Sequence, residues 1–258
     1  MTLRVGDVEI VPLVDGTCRL PQDFYVNLDF AAHPGLVADD GRVHVPIGCY
    51  LLRTGDRTVL LDAGMGPRRT SWGEGGDLPA QLAAVGVQPS DVDTVVCTHL
   101  HLDHAGWLVQ DDRPYFPRAT VRFGIGDREH FADDPVVGPA VRVLEDAGRV
   151  EPIEGDDVAL APGLTARHTP GHTPGHYGLV VSSGEQRAVI LGDAVECPLQ
   201  VEEADLYVMS DVDPVLARRT REAMWRELEG TDTLVGAAHF PGLRFGRILG
   251  AAGRRWFA

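Results

Sequence analysis

The chain has 258 residues, 44% of them hydrophobic, enough to bury one sizeable core, and a single domain over 1–258 is the expected organisation. Its 38 Asp and Glu outnumber its 23 Lys and Arg, for a formal net charge of −15, which repels a phosphate backbone; no basic patch offsets this, so no nucleic-acid partner is expected. No apolar run reaches bilayer-spanning length and Met1 to Glu9 lacks the apolar stretch of a secretory signal, so the expectation is no membrane association and a cytoplasmic location.

In chain order, Val8 to Val14, Val45 to Arg53, Thr58 to Asp62 and Thr94 to Cys97 are β-rich runs bounded by Gly, Asp or Pro, and are predicted strands. Between the last two, Leu78, Leu82 and Val85 have helical spacing, with Pro79 near the start, where its missing N–H costs little. Gly64 to Gly76, rich in glycine and carrying Trp72, is predicted to be a loop near the functional site. Gly124 to Phe131 and Pro139 to Ala147 are predicted helices. Val150 to Ile153, Leu164 to His168, Tyr177 to Val181 and Ala188 to Leu191 return to strand character, and Pro214 to Leu228 is a helix with a charged outer face. Two groups of strands, each with helices, point to an α/β (α+β) chain with two sheets face to face and helices outside. Cys18, Cys49, Cys97 and Cys197 are far apart and form no C-x-x-C pair, so reduced, buried thiols are expected rather than disulfides or a thiolate zinc knuckle.

The segment that carries chemistry is Thr98-His99-Leu100-His101-Leu102-Asp103-His104-Ala105-Gly106, directly after the apolar Val95-Val96-Cys97. Residues two apart in extended backbone point to one side, so His99 and His101 can converge on one ion while Asp103 and His104, turned by the following bend, address another. Six of the 10 histidines lie in this segment and in His168-Thr-Pro-Gly-His172-Thr-Pro-Gly-His176, which argues against a polar loop with unrelated histidines. No Gly-x-Ser-x-Gly elbow is present, so a serine nucleophile is not expected.

The H-x-H-x-D-H run resembles the signature of the metallo-β-lactamase superfamily. Leu60-Leu61-Asp62-Ala63-Gly64, Gly171 to His176, Leu191-Gly192-Asp193 and Ala238-His239-Phe240 resemble its other motifs, in order across nearly the whole chain. The resemblance implies an αβ/βα sandwich of two mixed sheets with the site at one edge. It also implies two divalent metal ions, zinc first and iron or manganese as alternatives, since imidazole and carboxylate suit all three. Carried over, it implies His99, His101 and His172 on one ion, Asp103, His104 and His239 on the other, and Asp193 bridging both. Asp62 is implied as a brace of the motif loops, and His168 and His176 as structural groups or supports of the ligands. His33, His44 and His130 match no motif and are read as ordinary histidines.

Two such ions lower the pKa of a shared water toward neutrality and polarise a carbonyl, and Asp103 or Asp193 can orient the water and pass on its proton. The resemblance is nearest to the N-acyl homoserine lactonase, glyoxalase II and organophosphate hydrolase side of the superfamily. It implies hydrolysis of a small ester-like substrate, a lactone first, with thioester, aryl ester or phosphotriester as alternatives and a homodimer left open. This chain departs from the lactonase pattern in having no Tyr shortly after Asp193, where Ala-Val-Glu-Cys stands instead, the next tyrosine being Tyr207. Phe24, Tyr25 and Phe30 are candidates for a pocket wall or for core. A metal-binding protein that has lost catalysis is the non-enzyme reading, against which the intact set of seven ligands argues.

Overall fold

The computed structural model describes residues 2–250 and 253–258. Two mixed sheets dominate it. The first runs in the order Leu3–Val5, Val8–Leu20, Val43–Thr54, Arg57–Leu61, Thr94–Val96 and Thr120–Arg122, with Gly73–Gly75 pairing beside Val8–Leu20. The second runs Asp157–Ala161, Leu164–His168, Tyr177–Ser183, Gln186–Ile190 and Leu234–Gly236. Arg57–Leu61, Thr94–Val96 and Thr120–Arg122 pair in parallel, as do Gln186–Ile190 and Leu234–Gly236, and the remaining neighbours are antiparallel.

The layering follows from side-chain alternation along the strands. Ile10, Tyr50, Leu52, Val59, Leu61 and Val96 point from the first sheet onto Leu164, Leu179, Val181 and Ile190 of the second, forming the core between the sheets. Their neighbours Val11, Leu51, Leu60 and Val95 face the other way and bury Leu78 and Leu82 of helix Leu78–Ala84 with Val141 and Leu144 of helix Val137–Asp146. On the far side, Val180, Val189 and Val235 pack against Met224, Trp225 and Leu228 of helix Pro214–Leu228. Central strands buried on both faces read as continuous apolar runs, which is why Tyr50-Leu51-Leu52 and Val95-Val96-Cys97 show no polar alternation. The result is the αβ/βα sandwich of two mixed sheets that the sequence implies.

Helix Pro214–Leu228 has the bounds expected from sequence, with Pro214 in the first turn and the Asp213 side chain accepting from the Leu216 N–H at 2.9 Å. Two expectations need correction. Val150 to Ile153 is not a continuous strand: it runs along the Thr120–Arg122 edge, with the Glu151 and Ile153 N–H groups donating to the Val121 and Phe123 carbonyls at 3.0 and 2.8 Å, but pairs only in two isolated bridges, Val150 to Val121 and Ile153 to Gly124. The Gly64 to Gly76 segment is not all loop, since Gly73–Gly75 pairs with Gly16 to Cys18. No described helix is long and apolar enough to cross a membrane.

Parallel pairing fixes where the motifs fall. Asp62 follows Arg57–Leu61, Thr98 and His99 follow Thr94–Val96, Asp193 follows Gln186–Ile190 and His239 follows Leu234–Gly236. Each leaves the carboxyl end of its strand, and the two parallel sets bring those ends to one edge of the sandwich.

Candidate metal centre

The seven expected ligand residues come together at that edge, and six of them are buried, His101 being only partly so. His101 Nδ1 lies 2.8 Å from His99 Nε2 and 3.0 Å from His172 Nε2. Metal–nitrogen bonds of about 2.0–2.1 Å at tetrahedral angles space donors about 3.3 Å apart, so these three nitrogens can share one ion. His104 Nε2 and His239 Nε2 lie 3.8 and 3.6 Å from Asp103 Oδ2. Besides His99, His101 and His172, the sets among the described residues whose donor atoms all lie within 4.8 Å of one another are Cys18 with Asp103 and His239, His99 with His104 and Asp193, and His172 with Asp193 and Glu196. Asp193 stands between the two groups of histidines. Its Oδ2 is 3.8 Å from His99 Nε2 and 3.7 Å from His172 Nε2 on one side, and 3.2 Å from both His104 Nε2 and His239 Nε2 on the other.

The donor set fits two divalent ions on a separate ground. His104 Nε2 and Asp193 Oδ1 are buried with no hydrogen-bond partner, a costly arrangement for polar atoms unless something else binds them. Imidazole nitrogens and carboxylate oxygens facing one point are the ligands that zinc, iron and manganese take.

The outward nitrogens of His99, His104, His172 and His239 are held by other groups. His104 Nδ1 donates to Asp62 Oδ2 at 3.0 Å, His172 Nδ1 to Asp211 Oδ1 at 3.0 Å, and His239 Nδ1 to the Pro46 carbonyl at 2.7 Å. His99 Nδ1 is 3.1 Å from the Thr98 hydroxyl. Each bond fixes which ring nitrogen is left to face the centre. Asp62 also accepts from the Thr98 N–H at 2.7 Å and the Thr98 hydroxyl at 3.0 Å. Its φ of 61° is left-handed backbone, unusual for a non-glycine residue and here tied to a carboxylate that braces the histidine loop.

His176 faces away from both groups: its Nδ1 meets the Thr169 hydroxyl at 2.7 Å and its Nε2 accepts the Asp193 backbone N–H at 3.0 Å. Burial lowers its proton affinity, the state an accepting Nε2 requires. Gly192, at φ 55°, lets the chain turn beside this ring; a Cβ there would lie 2.7 Å from His176 Nε2. His168 bonds the Pro174 carbonyl at 3.0 Å, and His33 and His44 pair with Glu203 and Asp40 away from the centre.

Sequence reasoning missed several contributors. Asp127, inside a segment read only as helix, takes the Leu100 N–H and the Thr173 hydroxyl on Oδ2 at 3.0 Å each, and the Gly175 N–H on Oδ1 at 2.7 Å, stapling the two histidine motifs together. Asp15 accepts from Met65 N, Leu78 N and Trp107 Nε1 beneath the glycine-rich segment. Cys18 Sγ lies 3.6 Å from Asp103 Oδ2. Glu196 is buried beside the centre, Oε1 3.8 Å from His172 Nδ1. None of these belongs to a local motif; a lone Asp in a helix start or a Cys in a strand carries no sequence signal of its partners.

Taken as protein groups alone, the charges are strongly biased. Burial and the neighbouring His172 push His101 down to about 3. For His239, burial would lower the value, but the Asp193 carboxylate outweighs it and lifts it to about 10. Burial would raise Asp193, and His104 with His239 overrides it to hold the carboxyl well below its usual range. Burial, then the Asp193 charge, pushes Glu196 up to about 7.

The centre opens into a cavity of about 590 Å³ whose floor includes His101, Asp103, Asp193 and His239. Leu20, Phe24, Trp72, Phe131 and Val136 supply apolar walls. Of the three early aromatics, Phe24 reaches the wall, Tyr25 is buried against it edge-on at 5.2 Å, and Phe30 packs on Tyr25 at 6.3 Å. Tyr207 pairs with Val26 and does not line the cavity.

The sequence profile described as "Metallo-beta-lactamase superfamily" matches residues 44–231. Among curated proteins, the chain is 35% identical over 156 residues to "Ribonuclease TTHA0252" of Thermus thermophilus, an alignment covering 55% of this chain and 33% of that one, so it spans about a third of the ribonuclease. It is 29% identical over 235 residues to "N-acyl homoserine lactonase" of Bacillus thuringiensis, covering 82% of this chain and 86% of the relative. Among solved structures, that of "AidC, a Dizinc Quorum-Quenching Lactonase, in complex with a product N-hexnoyl-L-homoserine" superposes with a TM-score of 0.87 at 20% identity, covering 100% of this chain and 96% of that one.

Proposed function

Because this chain belongs to the metallo-beta-lactamase superfamily, we propose that it is a dinuclear metal-dependent hydrolase acting on ester-like carbonyls, with a lactone of the N-acyl homoserine kind as first substrate. The observation that carries this reading is the single oxygen, Asp193 Oδ2, within 3.8 Å of four imidazole nitrogens that fall in two groups. The proposed ligands are His99, His101 and His172 for one ion, Asp103, His104 and His239 for the other, and Asp193 for both, with zinc as the metal. Similarity to a lactonase over 86% of its length supports the substrate class, whereas the ribonuclease is matched over a third of its length only.

When bound, two such ions supply a hydroxide nucleophile at neutral pH and polarise the carbonyl. The chain's own residues do the rest. Asp193 places negative charge between the two sites and so offsets the repulsion of the cations. Asp103, on the cavity floor, accepts a proton from the attacking water and returns it to the leaving alkoxide, which leaves the acid and the alcohol of the opened ring. Phe24, Trp72 and Phe131 hold the apolar part of the substrate and exclude water around the carbonyl. Asp62, Asp211 and the Pro46 carbonyl keep the imidazoles from swinging as the charge changes.

The test is turnover of N-acyl homoserine lactones, thioesters, aryl esters and phosphotriesters by metal-loaded protein, with and without a chelator. Lactone hydrolysis that stops on chelation and returns with zinc is expected. Turnover of the other classes with none of the lactones would reassign the substrate, and turnover that ignores the chelator would overturn the metal-dependent mechanism.

A further inference from the structure

Arg221 is 3% exposed, whereas Arg218, Arg219 and Arg226 of the same helix, Pro214–Leu228, are exposed. Among the described residues it is the sole buried arginine, in a chain that contains no lysine. A buried cation is costly unless its donors are met. Its Nη1 donates to Asp211 Oδ2 and to the Ala194 carbonyl at 3.5 Å each, and its Nη2 to the Leu206 carbonyl at 3.3 Å. The other Asp211 oxygen, Oδ1, accepts from His172 Nδ1 at 3.0 Å. One carboxylate therefore joins the guanidinium to a proposed ligand ring.

We propose that Arg221 is a positioning residue of the centre: by fixing the Asp211 carboxylate it sets the angle of the His172 ring, and with it the affinity for the ion that His172 binds. This rests on the dinuclear hydrolase reading. The backbone around His172 is held without Arg221. The Val212 N–H donates to the His172 carbonyl at 3.0 Å, the Asp213 N–H to the Gly171 carbonyl at 2.9 Å, and the Thr220 hydroxyl to the Pro170 carbonyl at 2.7 Å. What stays free is rotation of the ring, which the bond to Asp211 restrains. Asp62, which holds His104, is itself held by the Thr98 N–H and hydroxyl. Among the described residues the Asp211 carboxylate has no such bond, and the guanidinium takes that part. The two carbonyls anchor the guanidinium in turn, a task that suits the planar fork of an arginine.

The experiment measures zinc affinity by chelator competition, with no turnover involved, beside the denaturant midpoint of the metal-free chain. Arg221→Met removes the charge and the donors, and is expected to weaken zinc binding by at least about tenfold. The double variant with Asp211→Asn should bind zinc within about threefold of Asp211→Asn alone, because the guanidinium acts through that carboxylate. Leu228→Ala, at the buried far end of the same helix, should lower the denaturant midpoint and leave zinc affinity within about threefold of wild type, which separates positioning from helix stability. Where Arg221→Met does not fold, Arg221→Lys is read in its place: an ammonium lacks the fork that meets Asp211 and the Ala194 carbonyl together, and a loss of at least about threefold is expected. A smaller loss in the folded Arg221 variant, a loss that persists in full beside Asp211→Asn, or an equal loss in Leu228→Ala overturns the proposal. A wild type that binds no zinc overturns the dinuclear reading and the proposal together, whereas a zinc-binding wild type with indifferent Arg221 variants overturns the positioning role alone.

Discussion

His176 Nε2 accepts the backbone N–H of Asp193 at 3.0 Å, so a histidine outside the proposed ligand set fixes the backbone from which the proposed bridging carboxylate enters the centre. For Nε2 to accept, Nδ1 must carry the proton, and it has the Thr169 hydroxyl at 2.7 Å to give it to. His176→Ala removes the acceptor and leaves the Asp193 N–H buried and unpaired, at a cost of about 1–3 kcal/mol. Denaturant unfolding should show that loss, and chelator competition should show zinc bound about 10–100-fold more weakly. Unchanged zinc affinity would mean that His176 only fills space.

Asp193→Asn keeps the shape of the shared ligand and removes its charge. Two cations about 3.5–4 Å apart would then repel with less compensation. One ion should be lost at metal concentrations that saturate the wild type, and turnover should fall at least about a hundredfold. Elemental analysis beside steady-state kinetics decides the matter; two retained ions with wild-type turnover would refute the bridging role.

Asp62→Asn should act on one ion more than on the other. The lost charge frees His104 while His172 keeps Asp211, so titration with zinc should weaken by about 10–100-fold mainly in one phase. Equal weakening of both phases would show that Asp62 supports the fold and not the His104 ring.

Acidity should set metal affinity in a definite direction. His239, held near 10 by Asp193 in the metal-free chain, must lose its proton to bind metal. Its folded value lies above the unfolded one of about 6.5, so it stabilises the metal-free fold below that pH, an effect lost as pH rises through about 10. Zinc affinity should therefore rise by at least about tenfold per pH unit between pH 7 and 9, while the thermal midpoint of chelated protein falls. An affinity flat over that interval would contradict the assignment of His239.

The central strands and the clustering of the seven proposed ligand residues were legible because both are written locally, the strands as buried apolar runs and the proposed ligands as short motifs at strand ends. The groups that hold them are written across the chain. Asp127 bonds Gly175, Asp211 bonds His172 and Pro46 receives His239, and nothing within a few residues of any of them announces the partner. Val150 to Ile153 carries real β propensity and does hydrogen-bond along the Thr120–Arg122 edge, but its pairing there is confined to two isolated bridges and no continuous strand forms.

The proposed ligands come from both sheets: His99, His101, Asp103 and His104 follow a strand of the first, whereas His172, Asp193 and His239 follow strands of the second. Ions held this way are cross-links, tying the halves of the chain as a disulfide would tie two loops, but reversibly. Each contributes to folding only in proportion to the logarithm of free metal, about 4 kcal/mol at a thousandfold excess over the dissociation constant. Metal scarcity would then act first as a mechanical fault, a hinge opening along the face between the sheets. Heating in chelator should expose the Leu179 and Ile190 face to hydrogen exchange before the helix-covered outer faces give way.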